Sequence, residues 1–334
     1  MNHQFYGMYR CSLASFVDFA FRELHPGETM DDNWHIRTVA DLLQCSWLTA
    51  SDELPRKLIF NLPPGHLKTH ICSVSFPAWV LGRDPRKSVL IVSETPDMAL
   101  EIRERVCELM SSKRYRYLFP RAKIVRSGKE VELNYRGRIR HAGVGYSLPQ
   151  RKSDLVILDN PQSLHNLERF DPTAFVEIGR TLRNPKEGMI LLATRRLAEN
   201  DLSAHLHGLP NWGRIAMPVV GMKDVDWPGI YNTGHLHRKG EPLHYWYEGW
   251  EKIEQRLLEV GGEAFSWQYM QGLYRPKTTG QRTYYENGVP AGVMVGSYDP
   301  TWVTQDDFAQ LRQDYEAKYD PMKVELPDLQ ITSK

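Results

Sequence analysis

The chain has 334 residues, with 42 lysines and arginines against 41 acids, a net charge of +1 and 41% hydrophobic residues. That is enough apolar content for a real core, and the near-balanced charge excludes a wholly basic nucleic-acid binder, so any contact with nucleic acid must come from local patches. No run of about 18 apolar residues is present, which excludes a membrane-spanning helix. The four cysteines, Cys11, Cys45, Cys72 and Cys107, form no Cys-x-x-Cys pair. They read as reduced thiols of an intracellular protein, with no zinc site.

In chain order, the apolar spacing predicts helices over 13–24 and 36–47. Residues 57–62 form the first core strand, followed by a helix over 69–81 that closes at Gly82 with Pro85 behind it. Residues 88–93 are an apolar, β-branched run and read as a buried strand. Pro96 opens a helix running to about residue 110. Val131, Leu133 and Tyr135 alternate with polar residues, and Arg136-Gly137 supplies a turn, so 130–140 reads as a hairpin on one sheet edge. Strands follow at 155–158 and 189–193, then a short helix at 201–207 and a strand near 214–217. Beyond Trp227 the chain is rich in aromatics, glycine and proline, interrupted by a helix at 249–260. A last helical run, 304–319, precedes a polar tail. This alternation predicts an α/β fold, a mostly parallel sheet covered on both faces. The expected divisions are an N-terminal helical segment at 1–56, a core at 57–277 and a C-terminal extension or docking tail at 278–334.

The segment Lys57-Leu-Ile-Phe-Asn-Leu-Pro-Pro-Gly-His-Leu-Lys-Thr69 is the most informative stretch. An apolar strand enters a Pro-Pro-Gly turn, a Lys-Thr pair follows, and a helix begins. Main-chain N–H groups and a helix N-terminus can hold phosphates there, a lysine offsets their charge, and a hydroxyl can reach Mg²⁺. A second apolar strand ends in Asp159, the acid such a loop requires for its metal. The pair predicts a P-loop NTPase that binds ATP and Mg²⁺ through Lys68, Thr69 and Asp159.

The order of motifs resembles the large subunit of the tailed-phage terminase, a DNA-packaging motor. Pro63-Pro-Gly-His-Leu-Lys-Thr69 is similar to that family's Pro-Pro-Arg-His-Gly-Lys-Ser. Phe76-Pro-Ala-Trp-Val-Leu-Gly-Arg-Asp-Pro85 looks like its P-A-W-x-L-G-x-x-P. Trp34-His35 sits where many members carry a Trp/His pair. The stretch 147–161 resembles the family's T-G-R-G-A-D-φ-φ-φ-φ-D-D-P, with φ apolar and Asp159 at its first acid after the apolar run. Ala193-Thr-Arg195 with Asn200-Asp-Leu-Ser-Ala-His-Leu206 resembles T-R-W-x-x-x-D-L-A-x-x-L, and Phe265-Ser-Trp-Gln-Tyr-Met-Gln271 resembles F-x-x-Q-Y-x-Q. The likeness spans about residues 30–277.

The resemblance implies ATP-driven translocation of double-stranded viral DNA into a capsid. It implies partners as well: double-stranded DNA, the portal, the small terminase subunit and further copies of the chain in a ring. Their setting is the host cytoplasm, at the capsid portal during assembly. Gly65, His66 and Leu67 would complete the phosphate loop, and Trp34 and His35 would flank the adenine. Arg151, eight residues before Asp159, would act as an arginine finger on a neighbour's nucleotide. Thr194 and Arg195 would couple the nucleotide state to motion. Three departures stand out. Leu67 replaces a glycine, Gly65 replaces an arginine, and Asn160 replaces the second acid, so the expected base is missing there. Glu94 and Glu168 are candidate replacements. About 57 residues follow Lys277, too few for the family's nuclease domain, so no nuclease activity is expected of this chain and a separate nuclease chain is a candidate partner. The other reading is a weakly hydrolysing nucleotide-binding scaffold that recruits a nuclease or the portal. A P-loop helicase or defence ATPase would require additional helicase motifs. His205, His207, His235 and His237 lack ligand spacing and read as non-ligands. The basic cluster Lys113, Arg114, Arg116, Arg121, Lys123 and Arg126 is a candidate DNA-backbone contact, with a solvated helix end as the default.

Overall fold

The computed structural model describes residues 3–49, 55–145, 152–167, 180–227, 234–273, 282–286, 289–294 and 304–319. Three helices come first, α1 (His3–Cys11), α2 (Leu13–Leu24) and α3 (Trp34–Leu48). Strand β1 (Lys57–Asn61) leads through the glycine-bearing turn into a π-helical turn, His70–Ser75, and then α4 (Phe76–Arg83). Next come β2 (Ser88–Ser93), α5 (Pro96–Ser111), α6 (Lys113–Leu118), β3 (Ile124–Arg126), β4 (Val131–Leu133), β5 (Arg138–Gly143) and β6 (Leu155–Asp159). The sheet is completed by β7 (Met189–Thr194) and, after α7 (Leu202–His207), β8 (Trp212–Ala216). Beyond it lie a ribbon of β9 (Val225–Trp227) with β10 (His235–His237), helices α8 (Trp250–Val260) and α9 (Gly262–Gln268), a second ribbon of β11 (Arg282–Glu286) with β12 (Val289–Met294), and α10 (Gln305–Tyr319).

Eight strands form the main sheet in the order β3-β4-β5-β2-β6-β7-β1-β8. From β5 to β8 every neighbouring pair is parallel. The β4–β5 hairpin foreseen in the sequence is antiparallel, yet β5 also pairs parallel with β2 and so extends the main sheet. The central strands are buried on both faces because helices cover both, which explains their unbroken apolar runs. One face carries Leu58, Phe60, Val89, Ile91, Leu155, Ile157 and Leu191 and meets α2–α5. The other carries Ile59, Leu90, Val92, Val156, Leu158 and Leu192 and meets α7 residues Leu202 and Leu206. A third core joins α8, α9 and α10 through Trp250, Ile253, Phe265 and Phe308.

Local chemistry fixes the helix starts. Asn33 caps α3 by accepting from His35 N at 3.3 Å, and Thr95 caps α5 by accepting from Met98 N at 3.3 Å, with Pro96 at the first position. The helix expected over 69–81 is divided. Pro77 has no N–H to offer the carbonyl four residues back, that of Ser73, so the ladder widens into a π turn before α4 resumes. Among the described residues no helix is long and apolar enough to cross a membrane.

Candidate active site

The carboxyl ends of β1, β6 and β7 meet at one edge of the sheet. The loop after β1 is tied down by Leu62 N donating to Thr194 O at 3.3 Å. Gly65 has φ +81°, and a Cβ there would stand 2.9 Å from the Tyr247 hydroxyl. Leu67 has φ +54°, the left-handed conformation in which a glycine is at ease. Holding a branched side chain there costs about 1–2 kcal/mol. Leu67 is half-buried against the main core, and that packing returns about 1–2 kcal/mol. The backbone therefore keeps a glycine-like turn although the glycine itself is replaced.

Lys68 is 7% exposed. Burial lowers its pKa and Asp159 pulls it back up, while Arg195 lowers it further. Thr69 Oγ1 donates to Asp159 Oδ1 at 3.0 Å, and Ser73 Oγ donates to Asp159 Oδ2. Asn160, itself at φ +41°, donates its Nδ2–H to Asp159 Oδ1 at 2.9 Å. Burial raises the Asp159 pKa, and these donors and Lys68 pull it down. Ser73 was not foreseen from the sequence. The signal was available: two hydroxyl residues four apart after the lysine share a helix face.

A cavity of about 740 Å³ runs from this loop to α2 and α5, lined by Gly65, His66, Leu67, Lys68, Thr69, Asn160 and Arg195 on one side. Its far wall is Phe21, Leu24, His25, Glu28, Arg105 and Glu108, with the Phe21 and His25 rings 4.6 Å apart. Two aromatic rings with the cations Lys68, Arg105 and Arg195 in one cavity fit a nucleotide. Thr69 and Asp159 present oxygen donors of the kind Mg²⁺ prefers.

Trp34 and His35 do not line this cavity. Trp34 stacks on His235, centroids 4.4 Å apart, and packs against the main core. His35 is fully buried behind the loop, 5.6 Å from the rings of His66 and His244. The pair holds α3 against the loop and the β9–β10 ribbon. Thr194 is buried and donates to Arg195 O at 3.0 Å. Arg195 lines the cavity, whereas the next residue, Arg196, makes the buried ion pair with Asp201. Arg151 and Glu168 lie outside the described residues. Of the basic cluster, Arg114 pairs with Glu23 at 2.9 Å and Arg121 lies over Tyr135; Lys113, Arg116, Lys123 and Arg126 are exposed on α6 and β3 and their approach. Among the described residues no group of three or more His, Cys, Asp or Glu is placed to hold a metal ion.

Behind the loop, His66 donates Nδ1–H to Pro64 O at 3.0 Å and sets Nε2 3.8 Å from Glu248 Oε2. Burial lowers the His66 pKa to about 4 against that hydrogen bond, and His244 and Lys68 lower it further. Burial, His66 and His244 also hold His35 well below its ordinary value. The unfolded chain therefore binds protons first. The stability His66 contributes is present above pH 6.5 and is lost as pH falls from 6.5 towards about 4, and His35 acts in the same sense. His66 alone contributes a slope of about 1.4 kcal/mol per pH unit in that window. Glu248 and Asp159, both raised by burial, act in the opposite sense. Comparison with His66→Asn isolates the histidine: denaturant midpoints at pH 7 and pH 5 should converge in the variant relative to wild type, and an unchanged difference would refute a buried neutral His66.

No protein-family model matches the chain, and no curated protein matches it. Solved structures similar to it include the large terminase of bacteriophage HK97, at 14% identity and TM-score 0.40 over 62% of this chain and 44% of that one. The ATPase domain of the Thermus phage P74-26 large terminase is similar at 14% identity and TM-score 0.47, over 75% of this chain and 96% of that one. A large terminase from a thermophilic bacteriophage, in complex with ADP, is similar at 10% identity and TM-score 0.46, over 72% of this chain and 54% of that one. The chain thus spans less than half the length of the HK97 protein. At these identities and scores the likeness assigns neither activity nor residue roles. The class of fold rests on the chain's own topology: a phosphate loop after β1, an acid at the end of β6 and β7 between them make it an α/β P-loop NTPase fold with a mostly parallel sheet.

Proposed function

We propose that this chain is a nucleotide-driven motor of the terminase large-subunit type, hydrolysing ATP to move double-stranded DNA into a capsid. The observation that carries the ATPase reading is the Thr69–Asp159 hydrogen bond at 3.0 Å, beside a buried lysine. It joins the end of the phosphate loop to the acid strand as a phosphate-bound metal would require. Lys68 and the loop N–H groups would hold the phosphates, and Phe21 and His25 would flank the base. Thr69 and Asp159 would hold Mg²⁺, which offsets phosphate charge when bound. The motor and DNA part of the reading is supported by the ordered motifs that resemble the terminase family and by the exposed cations of α6 and β3. Partners of the same reading are the portal, the small terminase subunit, a separate nuclease chain and further copies of this chain at the portal in the host cytoplasm. In such a ring Arg151 of one copy would reach the next copy's nucleotide, and Thr194 and Arg195 would pass the change on.

The scaffold reading is favoured by one observation, Asn160 in the place of an acid. Phosphate release by the purified chain, with and without linear duplex DNA, separates the two. A motor is expected to turn over ATP faster with DNA. Nucleotide binding with no turnover under either condition would support the scaffold.

A further inference from the structure

We infer that Glu94 is the general base of this site, replacing the acid missing at position 160. The inference rests on the ATPase reading above. Strand β2 pairs with the acid strand β6, with Val92 opposite Leu158. Strand β2 ends at Ser93 and β6 at Asp159, so Glu94 and Asn160 are the first residues beyond two adjacent strand ends. Asn160 lines the nucleotide cavity and spends its amide on Asp159. An amide there supports the buried Asp159, where a second carboxylate would repel it, but cannot accept a proton.

The Glu94 carboxylate is held in place. Ser163 Oγ donates to its Oε1 at 2.5 Å and Asn166 Nδ2 donates to the same oxygen at 3.2 Å. Both donors lie on the turn that leaves Asp159-Asn160-Pro161, so the carboxylate is fixed to the exit of the acid strand itself. Oε2 has no hydrogen-bond partner among the described residues and is left to accept. Of the other acids near the edge, Asp201 is bound by Arg196 and Glu248 sits behind the loop by His66; Glu28 and Glu108 line the cavity but come from the segment after α2 and from α5, not from the exit of the acid strand.

The step balances with ATP and water alone. The water oxygen attacks the γ-phosphorus, the bond from that phosphorus to the β,γ-bridging oxygen breaks, and ADP leaves with the electron pair. The water proton passes to Glu94 Oε2 and then to phosphate or solvent.

The test uses the full chain with ATP and MgCl₂, following phosphate release beside equilibrium binding of a fluorescent N-methylanthraniloyl ATP. Glu94→Gln keeps the acceptor for Ser163 and Asn166 but cannot take a proton. It should lose at least about 100-fold in turnover with nucleotide affinity within about threefold. Adding Asn160→Glu to it should restore turnover about tenfold or more, and Glu168→Gln should remain near wild type. Near-normal turnover in Glu94→Gln, a matching loss of binding, loss in Glu168→Gln instead, or a wild type that binds the analogue yet turns over only after Asn160→Glu would each overturn the assignment while sparing the nucleotide site. A wild type that does not bind the analogue would overturn the site reading, and this inference with it.

Discussion

Replacing Lys68 by alanine is expected to lower nucleotide affinity by at least about 100-fold, the loss of a charge-assisted phosphate contact in a dry site. Lys68 is the buried lysine of the loop; burial lowers its pKa and Asp159 partly offsets that. Arg195 and Arg105 line the same cavity, but they reach it from the end of β7 and from α5 and cannot take the position of a loop residue. The variant takes the nearby cation from the buried Asp159, but that carboxylate keeps its donors Thr69, Ser73 and Asn160, so the variant should still fold. Fluorescent-nucleotide titration with a thermal melt separates the two effects. Unchanged affinity in a folded Lys68→Ala chain would remove the phosphate-loop assignment.

The largest expected loss of stability belongs to Asp201. Its carboxylate accepts from Arg196 Nε at 3.0 and 2.8 Å, from Leu197 N at 2.7 Å and from Ala204 N at 2.9 Å, the last capping α7. Arg196 also donates to Ala198 O and Glu199 O, and its main-chain N–H to Gln271 Oε1. One buried pair therefore fastens the end of β7 to α7 and to the segment after α9. Asp201→Ala strands a guanidinium out of water and removes a cap, at a cost of about 3–5 kcal/mol. That is a large share of the total for a domain. Asp201→Asn keeps an acceptor and the cap and should cost clearly less. Denaturant unfolding of both variants measures the difference, and a loss under about 1 kcal/mol in Asp201→Ala would show that the pair carries little.

Much of the fold was legible because parallel strands under two helical layers are apolar throughout. β2, with all six residues buried, and β6 could be read from composition alone. The strand–turn–helix after β1 and the strand ending in Asp159 were legible because proline, glycine and lysine between a strand and a helix form a rare local pattern. The π turn was not, since a single proline two residues into α4 shows its effect only in the hydrogen-bond ladder. The far wall of the cavity was hidden for a different reason. Phe21 and Arg105 sit on amphipathic helices and His25 at the end of one, where a residue facing a cavity has the same spacing as one facing the core. Trp34 and His35 illustrate the converse. Their chemistry suits a base platform, yet the ribbon β9–β10 brings His235 and His237 onto Trp34, a long-range contact that spacing cannot reveal. The short strands β3, β9 and β10, three residues each, carry too little periodicity to be seen. Tyr247 against Gly65 joins positions far apart in the chain and was equally out of reach.

The claim on which everything else depends is that one nucleotide occupies the cavity between the loop and α2–α5. Photolabelling of the full chain with 8-azido-ATP, followed by peptide mapping, tests it most directly. The label should fall on peptides containing Phe21 to Glu28 or Arg105 to Glu108, and unlabelled ATP should suppress it. Label that maps elsewhere, or that excess ATP leaves undiminished, would contradict the site.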